Sequence, residues 1–465
     1  MTENNPLLYP DIKVAVMGMG VTGRAAVRYG LHCGAEVLVS DNRPEQQFLA
    51  GEGGLLATAD IKWEAGGHSY EFLSKADLLL VSPGVDLELP LLRRLRDCGV
   101  KIAGELAVAA GQIDVPIVAV TGTNGKTTVT TLIGEIFKST GKKVFVGGNI
   151  GTPLYEYLVN PDGYDIVVAE VSSFQLESAG DFAPDVALLL NITPDHLDRH
   201  VSMEKYVQAK MQLFAHQRLG AVAIVNGDDP LCPALSPQLQ AVVRTFGTND
   251  QCTAVIRNDR IMLAVNEEPE EYRFEGLERI NHITLMNYAA AILAVRSLGC
   301  SHLQTQAGLN AFCPLPHRIE FVAEVHGVFY YNDSKATNTG AVIGALAQFP
   351  ENVILLAGGR DKGDDYSLLR ESVIGRVKKL IVFGESAGLL RDALDDLVDI
   401  VPVESMEDAV RTAAADAVSG DVVLLSPACA SFDMFTSYGH RGNEFKKAVL
   451  ALPSTLEVQK LGIVG

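Results

Sequence analysis

Short apolar runs alternate with longer stretches of helical character through most of the chain, and this alternation restricts the fold more than any other feature. Runs rich in β-branched residues and leucine lie at Lys13–Met17, Glu36–Ser40, Ala76–Ser82, Ile117–Thr121, Ile166–Glu170, Val186–Asn191, Val222–Asn226, Val353–Ala357, Leu380–Phe383 and Val422–Ser426. Strands buried on both faces read as near-continuous apolar runs, and helix-length spacers between them mark βαβ units with parallel sheets. The expected class is therefore α/β. At 465 residues the chain has room for about three domains of ordinary size. Gly104–Asp114 precedes a fresh strand, and Cys313-Pro314-Leu315-Pro316 disfavours a continuing helix, which predicts domains at 1–104, 105–314 and 315–465. The polar stretch Asn249–Ile280, with Glu267, Glu268, Glu270 and Glu271, reads as hairpins or an elaborated loop.

The formal net charge of -19 disfavours general binding to nucleic acid or anionic membranes, although a local cluster of donors can still hold a phosphate. Seven scattered cysteines without a C-x-x-C predict reduced thiols rather than a disulfide framework or zinc ribbon. The polar N-terminus lacks the pattern of a signal peptide, and no apolar run reaches the ~18 residues of a membrane span. A cytoplasmic protein with no membrane insertion is expected, and a monomer is the default.

Two glycine-rich loops follow strands. Gly18-Met19-Gly20-Val21-Thr22-Gly23 has the G-x-G-x-x-G form, and Asp41 ends the next strand, near where a ribose-binding acid would sit. A nicotinamide dinucleotide site and a structural turn that binds something else, or nothing, are both open on this signal. Ser82-Pro83-Gly84 falls on the same carboxyl edge, where open α/β sheets bind ligands. The second loop, Thr121-Gly122-Thr123-Asn124-Gly125-Lys126-Thr127-Thr128, carries P-loop logic. Backbone N–H groups cradle phosphates, Lys126 neutralises the β/γ oxygens, and a threonine hydroxyl reaches magnesium. Val120 stands where the strict pattern has glycine. An acid ending an apolar strand is costly unless paired or bound to a cation, which makes Glu170 the candidate carboxylate for a magnesium–ATP site. His196 matters because its segment, Asn191 to His200, ends a strand on the same edge.

Taken in order, several segments resemble the Mur ligase superfamily. They are G-T-N-G-K-T-T, Glu170-Val-Ser-Ser-Phe-Gln, Asn191-Ile-Thr-Pro-Asp-His196-Leu-Asp, His317-Arg318-Ile-Glu320, Asn332-Asp333-Ser334-Lys335-Ala336-Thr337-Asn338 and Ser426-Pro427-Ala428-Cys429-Ala430-Ser431-Phe432-Asp433. They span nearly the whole chain. Together with Asp41-Asn42-Arg43 they are most similar to the branch that adds D-glutamate. The resemblance implies an N-terminal Rossmann-like domain for a UDP-sugar, a central P-loop ATPase with a parallel sheet, and a C-terminal Rossmann-like domain for the amino acid. It also implies a reaction. ATP phosphorylates the alanyl carboxylate of UDP-N-acetylmuramoyl-L-alanine, and the amine of D-glutamate attacks the acyl phosphate, in cytoplasmic peptidoglycan precursor synthesis.

The same resemblance assigns roles. The first loop becomes a uridine-diphosphate cradle contacted by Val21, Thr22, Asp41, Arg43 and Ser82, Pro83 and Gly84. Lys126 serves the β/γ-phosphates within the loop from Gly122 to Thr128, Thr127 and Glu170 hold magnesium, and His196 lies near a second magnesium and the acyl group. Asn149 would touch the muramoyl substrate. Lys210 matches a position carbamylated in relatives, where it becomes a metal-binding anion. Arg318, Asp333 and Lys335 complete the ATP site, and Thr337, Lys362, Ser431 and Tyr438 match the D-glutamate pocket. Donors on separate domains imply closure before chemistry.

Departures are local. Where relatives have His-Asn-x-x-Asn, only Asn287 remains in Met286-Asn287-Tyr288-Ala289-Ala290, and Tyr438 replaces a familiar phenylalanine. The competing readings are a sister ligase adding another amino acid, a folylpolyglutamate synthase, a dehydrogenase using the first loop, and a non-catalytic nucleotide binder.

Overall fold

A computed structural model of the chain describes residues 6–58, 61–257, 260–264, 269–274, 282–312, 316–349 and 351–453. It divides into two compact units, 1–280 with 284–312 and 281–283 with 313–465. The first unit holds two sheets and the second holds one.

The first sheet comprises β1 (Lys13–Met17), β2 (Glu36–Asp41), β3 (Lys62–Ala65), β4 (Leu78–Val81) and β5 (Lys101–Ala103). All pairings are parallel, in the order β3-β2-β1-β4-β5. The order reverses between β1 and β4, so the loops after these two strands flank the switch point where such sheets take ligands. Gly23 is needed at the turn after β1, because a Cβ there would lie 1.8 Å from the Gly18 carbonyl oxygen.

The second sheet comprises β6 (Ile117–Thr121), β7 (Val144–Gly148), β8 (Ile166–Glu170), β9 (Val186–Leu189), β10 (Val222–Asn226), β11 (Val242–Gly247), β12 (Ala254–Arg257), β13 (Arg260–Leu263) and β14 (Glu270–Arg273). Its order is β14-β13-β12-β11-β10-β9-β6-β8-β7. Pairing is parallel from β7 across to β12 and antiparallel in the last two pairs. The polar stretch after residue 249 thus extends the sheet by β12, parallel to β11, and then by β13 and β14 in antiparallel pairs. Of its acidic cluster, Glu271 pairs with Arg260 and Arg273, each at 2.9 Å, and Glu270 pairs with Arg296. Glu267 and Glu268 lie outside the described residues, as does the expected boundary at Pro314.

The two sheets share one apolar core, in which Val16, Val39 and Leu80 of the first join Ala119, Val167 and Leu189 of the second. Helices Val21–His32 and Leu154–Val159 meet across this junction. There Tyr29 donates to Gln112 at 2.6 Å, its ring lies 5.9 Å from that of Tyr155, and Arg28 pairs with Glu156.

The second unit is built on β15 (Glu320–Val325), β16 (Val328–Asn332), β17 (Val353–Gly358), β18 (Val377–Phe383), β19 (Asp399–Pro402) and β20 (Val422–Leu425). The order is β15-β16-β20-β17-β18-β19, with β15 antiparallel and the rest parallel. Apolar residues from both faces of the sheet form two clusters under its helices. Among the described residues, no helix is long and apolar enough to cross a membrane.

Trp63, the only tryptophan of the chain, packs its ring 5.5 Å from that of Phe48 and so reports on the first sheet. Gly23→Ala should force the turn after β1 open at a cost of about 1–3 kcal/mol. A lowered urea midpoint followed by Trp63 fluorescence checks this.

Candidate active site

The second glycine loop leaves β6 between β8 and β9. Asn191, just past β9, holds it in shape. Its Oδ1 accepts the amides of Thr123 at 3.1 Å and Asn124 at 2.8 Å, and its Nδ2 donates to the Asn124 carbonyl at 3.0 Å. The Thr123 hydroxyl accepts the Thr193 amide at 3.0 Å and lies 3.0 Å from the Tyr206 hydroxyl. Gly125 takes a positive φ of 85° as it caps helix Lys126–Ser139, whose first turn carries Thr127 and Thr128. A Cβ on it would come within 2.6 Å of Asn287 Oδ1, so Asn287 abuts the loop. Met286 and Ala290 of the same helix, His282–Ser297, are buried in the apolar core. The two apolar departures from the relatives' pattern are therefore core residues here.

Two lysines converge on the Gly122 carbonyl oxygen. Lys126 Nζ donates to it at 2.9 Å and to the Thr123 carbonyl at 2.8 Å, while Lys210 Nζ donates to it at 2.8 Å. Lys210 is 1% exposed and lies 4.4 Å from the Tyr206 ring centroid. Burial, and then the Lys126 ammonium, push the Lys210 amine well below the usual lysine range. Its helix, Met203–Met211, starts where the Ser202 side chain accepts the Lys205 amide, a sequence-encoded N-cap.

Glu170 ends β8 at 2% exposure. Its Oε1 accepts from Asn149 Nδ2 at 2.7 Å, and its backbone oxygen accepts the Asn149 amide at 2.8 Å. Oε2 is buried with no hydrogen-bond partner among the described residues. A buried oxygen left this way costs about 1–3 kcal/mol, more when charged, and a bound cation would remove that cost. Magnesium is ordinarily held by one or two carboxylates together with phosphates and water, so this donor set fits it. His196 is exposed, with φ of 54° and its ring 4.9 Å from that of Phe174. His200 is buried, stacks on the Phe174 ring at 5.4 Å, and lies 3.0 Å from the Ser173 hydroxyl.

At the first glycine loop both Asp41 oxygens are engaged. Oδ2 accepts the Met19 amide at 2.8 Å, and Arg43 meets Oδ1 and Oδ2 at 2.8 and 3.0 Å. Burial alone would raise its pKa, but hydrogen bonds from Arg43 and the Met19 amide outweigh burial and hold the carboxyl below the usual range. Asp41 thus shapes the loop and fixes Arg43. Ser82 donates to the Met17 carbonyl at 3.2 Å, tying the neighbouring loop to it. Val21, Pro83 and Gly84 are exposed at the rim, and Thr22 is half-buried.

In the second unit Asp333, just past β16, accepts from the Ser426 hydroxyl at 2.9 Å and the Ile319 amide at 3.3 Å. Burial pushes its carboxyl up to about 7, against the opposing pull of these bonds and of Arg318. Lys335 Nζ lies 4.0 Å from the Tyr438 ring centroid, and Thr337 precedes the Asn338 cap of helix Thr339–Leu346. Ser431 is buried, whereas Lys362 is exposed on the loop after β17.

Sequence reasoning did not single out the group that organises this edge. Arg441 is fully buried, donating from Nε and Nη2 to Ser334, each at 2.9 Å, and from Nη1 to the Cys429 carbonyl at 3.0 Å. Burial pushes its guanidinium down to about 10. It joins the loops that carry Lys335 and Ser431, yet an arginine in an amphipathic helix gives no such signal in sequence. Asn191, Tyr206 and Glu105 were likewise unassigned.

This arrangement of sheets and loops places the chain in a known class. The Mur ligase MurD-like N-terminal domain matches residues 12–104, the Mur ligase middle domain 120–295, and the Mur ligase glutamate ligase domain 317–429. The chain belongs to the Mur ligase family. A UDP-N-acetylmuramoylalanine–D-glutamate ligase of Desulfotalea psychrophila is 49% identical over 97% of this chain and 99% of its own. One of the same name from Geotalea uraniireducens is 42% identical over 95% and 97%. In fold, a pseudomurein peptide ligase type C from Methanothermus fervidus is similar with a TM-score of 0.59 at 18% identity, covering 95% of this chain and all of that one. A MurF ligase from Thermotoga maritima, solved with ADP, gives 0.58 at 20% identity, covering 95% and 96%.

Asn191→Ala removes three side-chain hydrogen bonds from the loop, each worth about 0.5–1.5 kcal/mol. ATP affinity, measured by calorimetry, should fall roughly tenfold or more. A second expectation concerns pH. The folded-state carboxyl of Asp333 is raised, so between pH 3.8 and about 7 the native chain binds more protons than the unfolded chain. This group's contribution to stability therefore declines as pH rises through that window. Asp333→Asn should flatten that part of the pH–stability curve, read by denaturant titration.

Proposed function

We infer that the chain is an ATP-dependent ligase that joins D-glutamate to UDP-N-acetylmuramoyl-L-alanine through an acyl phosphate. The observation that carries this reading is full-length similarity to ligases of that name, supported by a glycine loop whose Lys126 shares an acceptor with Lys210, and by the Asn149–Glu170 pair at the end of the neighbouring strand.

Within this proposal the chain's task is positioning and charge neutralisation. The loop amides from Gly122 to Thr128 cradle the ATP phosphates, and Lys126 turns from the Gly122 and Thr123 carbonyls to the β/γ oxygens. Asn287, against Gly125, is the contact left for the nucleoside. Glu170 Oε2 and the Thr127 hydroxyl hold magnesium, which when bound offsets the charge of the phosphates. His196 and Lys210 serve a second ion, Lys210 as its carbamate. A buried amine held below its usual range is a nucleophile for carbon dioxide, which supports this assignment. Asn149 orients the muramoyl group. Val21, Thr22, Arg43 and Ser82 to Gly84 line the uridine-diphosphate cradle, with Asp41 holding Arg43 in place. In the second unit Arg318, Asp333 and Lys335 serve the nucleotide, while Thr337, Lys362, Ser431 and Tyr438 bind the two carboxylates of D-glutamate. The proposed division of the chain is 1–104, 105–314 and 315–465, and the proposed setting is a cytoplasmic monomer.

Purified protein given ATP, magnesium and UDP-N-acetylmuramoyl-L-alanine should release phosphate with D-glutamate and not with L-glutamate, L-lysine or no acceptor. Turnover with a different acceptor only would reassign the amino acid, and none with any acceptor would refute the ligase reading. A carbamate at Lys210 should appear as a carbonyl signal after 13C-bicarbonate exchange, absent from Lys210→Ala, whose turnover should be lower by on the order of 10²-fold or more.

A further inference from the structure

Glu105 opens the short helix Glu105–Ala109 at 2% exposure, where an ionised carboxylate is costly unless held. Its Oε1 accepts the Leu154 amide at 2.6 Å, and its Oε2 accepts the Gln175 side-chain amide at 2.9 Å. Gln175 cannot simply turn away, because its own oxygen accepts the amide and hydroxyl of Ser172, each at 3.0 Å. Leu154 and Gln175 are the far ends of two segments that begin at Asn149 and Glu170. Those near ends are themselves joined at 2.7 Å. The contacts close a ring: Glu105 to Leu154, back along the chain to Asn149, across to Glu170, forward to Gln175, and back to Glu105. Burial pushes the Glu105 carboxyl up to about 7, while both donors oppose that shift.

We propose that Glu105 is a positioning residue for the ligase reaction, fixing the segment that carries Asn149 against the segment that carries Glu170. It touches no reactant. The proposal rests on the functional reading above for its kinetic consequence, whereas the ring itself does not. The nucleotide loop is strapped to β9 through Asn191 instead, so loss of Glu105 should leave the loop in place. A misplacement of about 1 Å at reacting groups costs on the order of 10²-fold in rate. Breaking the ring should therefore lower kcat and raise KM for the UDP substrate, with KM for ATP changed by no more than about twofold.

The isosteric Glu105→Gln replaces one of two accepting oxygens with an amide nitrogen, so one of the two donors is left facing another donor. Its partner is the swap Glu105→Gln with Gln175→Glu, which restores a donor–acceptor match at both contacts and keeps the acceptor for Ser172. Three measurements are made on the full chain: Trp63-monitored unfolding, amide hydrogen exchange without substrates, and steady-state kinetics. Glu105→Gln should fold, exchange faster in 149–154 and 172–178 but not in 122–128, and lose kcat roughly 10- to 100-fold. The swap should recover both exchange and kcat. Unchanged exchange in Glu105→Gln overturns the proposal whatever the kinetics, as does wild-type kcat in a variant that exchanges faster. A folded swap that recovers neither also overturns it. If the wild type itself has no ligase turnover, the functional reading fails, and the exchange results alone decide whether Glu105 closes the ring.

Discussion

The Gly122 carbonyl oxygen accepts hydrogen bonds from two lysines, and the rest of the site is arranged around that crowding. Two ammonium groups that share one acceptor in a buried place repel each other, and the more deeply buried one yields its proton more readily. Lys210 is that group. Lys126, only half-buried, holds the same oxygen from the start of the following helix. The asymmetry has a structural source. Lys126 opens the helix after the loop, whereas Lys210 comes up from a separate helix and passes beneath the Tyr206 ring.

Parallel sheets make such convergence possible. Strands β6, β8 and β9 run side by side in one direction, so the loop after β6, Glu170 at the end of β8 and Asn191 after β9 all reach the same edge. Backbone amides at the start of a helix suit an anion, and a carboxylate beside them suits a cation. The second unit repeats the device with a different keystone. There a buried guanidinium, rather than a side-chain amide, joins the loops after β16 and β20.

How much of this was legible in the sequence follows from burial. The strands read from sequence, such as β6, β8 and β10, are buried along their whole length and so write uninterrupted apolar runs. Those that escaped notice, among them β3, β15 and β19, are half-exposed, with Lys62, Glu324 and Asp399 among their open positions. The glycine loops and Glu170 were legible because each violates a local expectation: glycine where a helix begins, an acid where a strand is apolar. Asn191 and Arg441 violate none. Their importance lies in partners tens of residues away, 67 for Asn191 with Asn124 and 107 for Arg441 with Ser334, and single-residue patterns do not encode such partners. Asp41 reads in the sequence as a ligand-binding acid, and the structure adds that its oxygens engage Arg43 and the Met19 amide, partners the sequence pattern does not reveal.

The apolar core common to the first two sheets has a consequence for how the chain can be divided. Leu8, Val16 and Tyr29 belong to the same cluster as Tyr155 and Phe182, so the first hundred residues are not covered by their own side chains alone. Severed near Gly104, that piece would present an oily face to water and gather with its own kind. For a breeder of chimaeras, the smallest part that can be exchanged between relatives is the first two sheets together, with Phe312 as the last residue of the transplant.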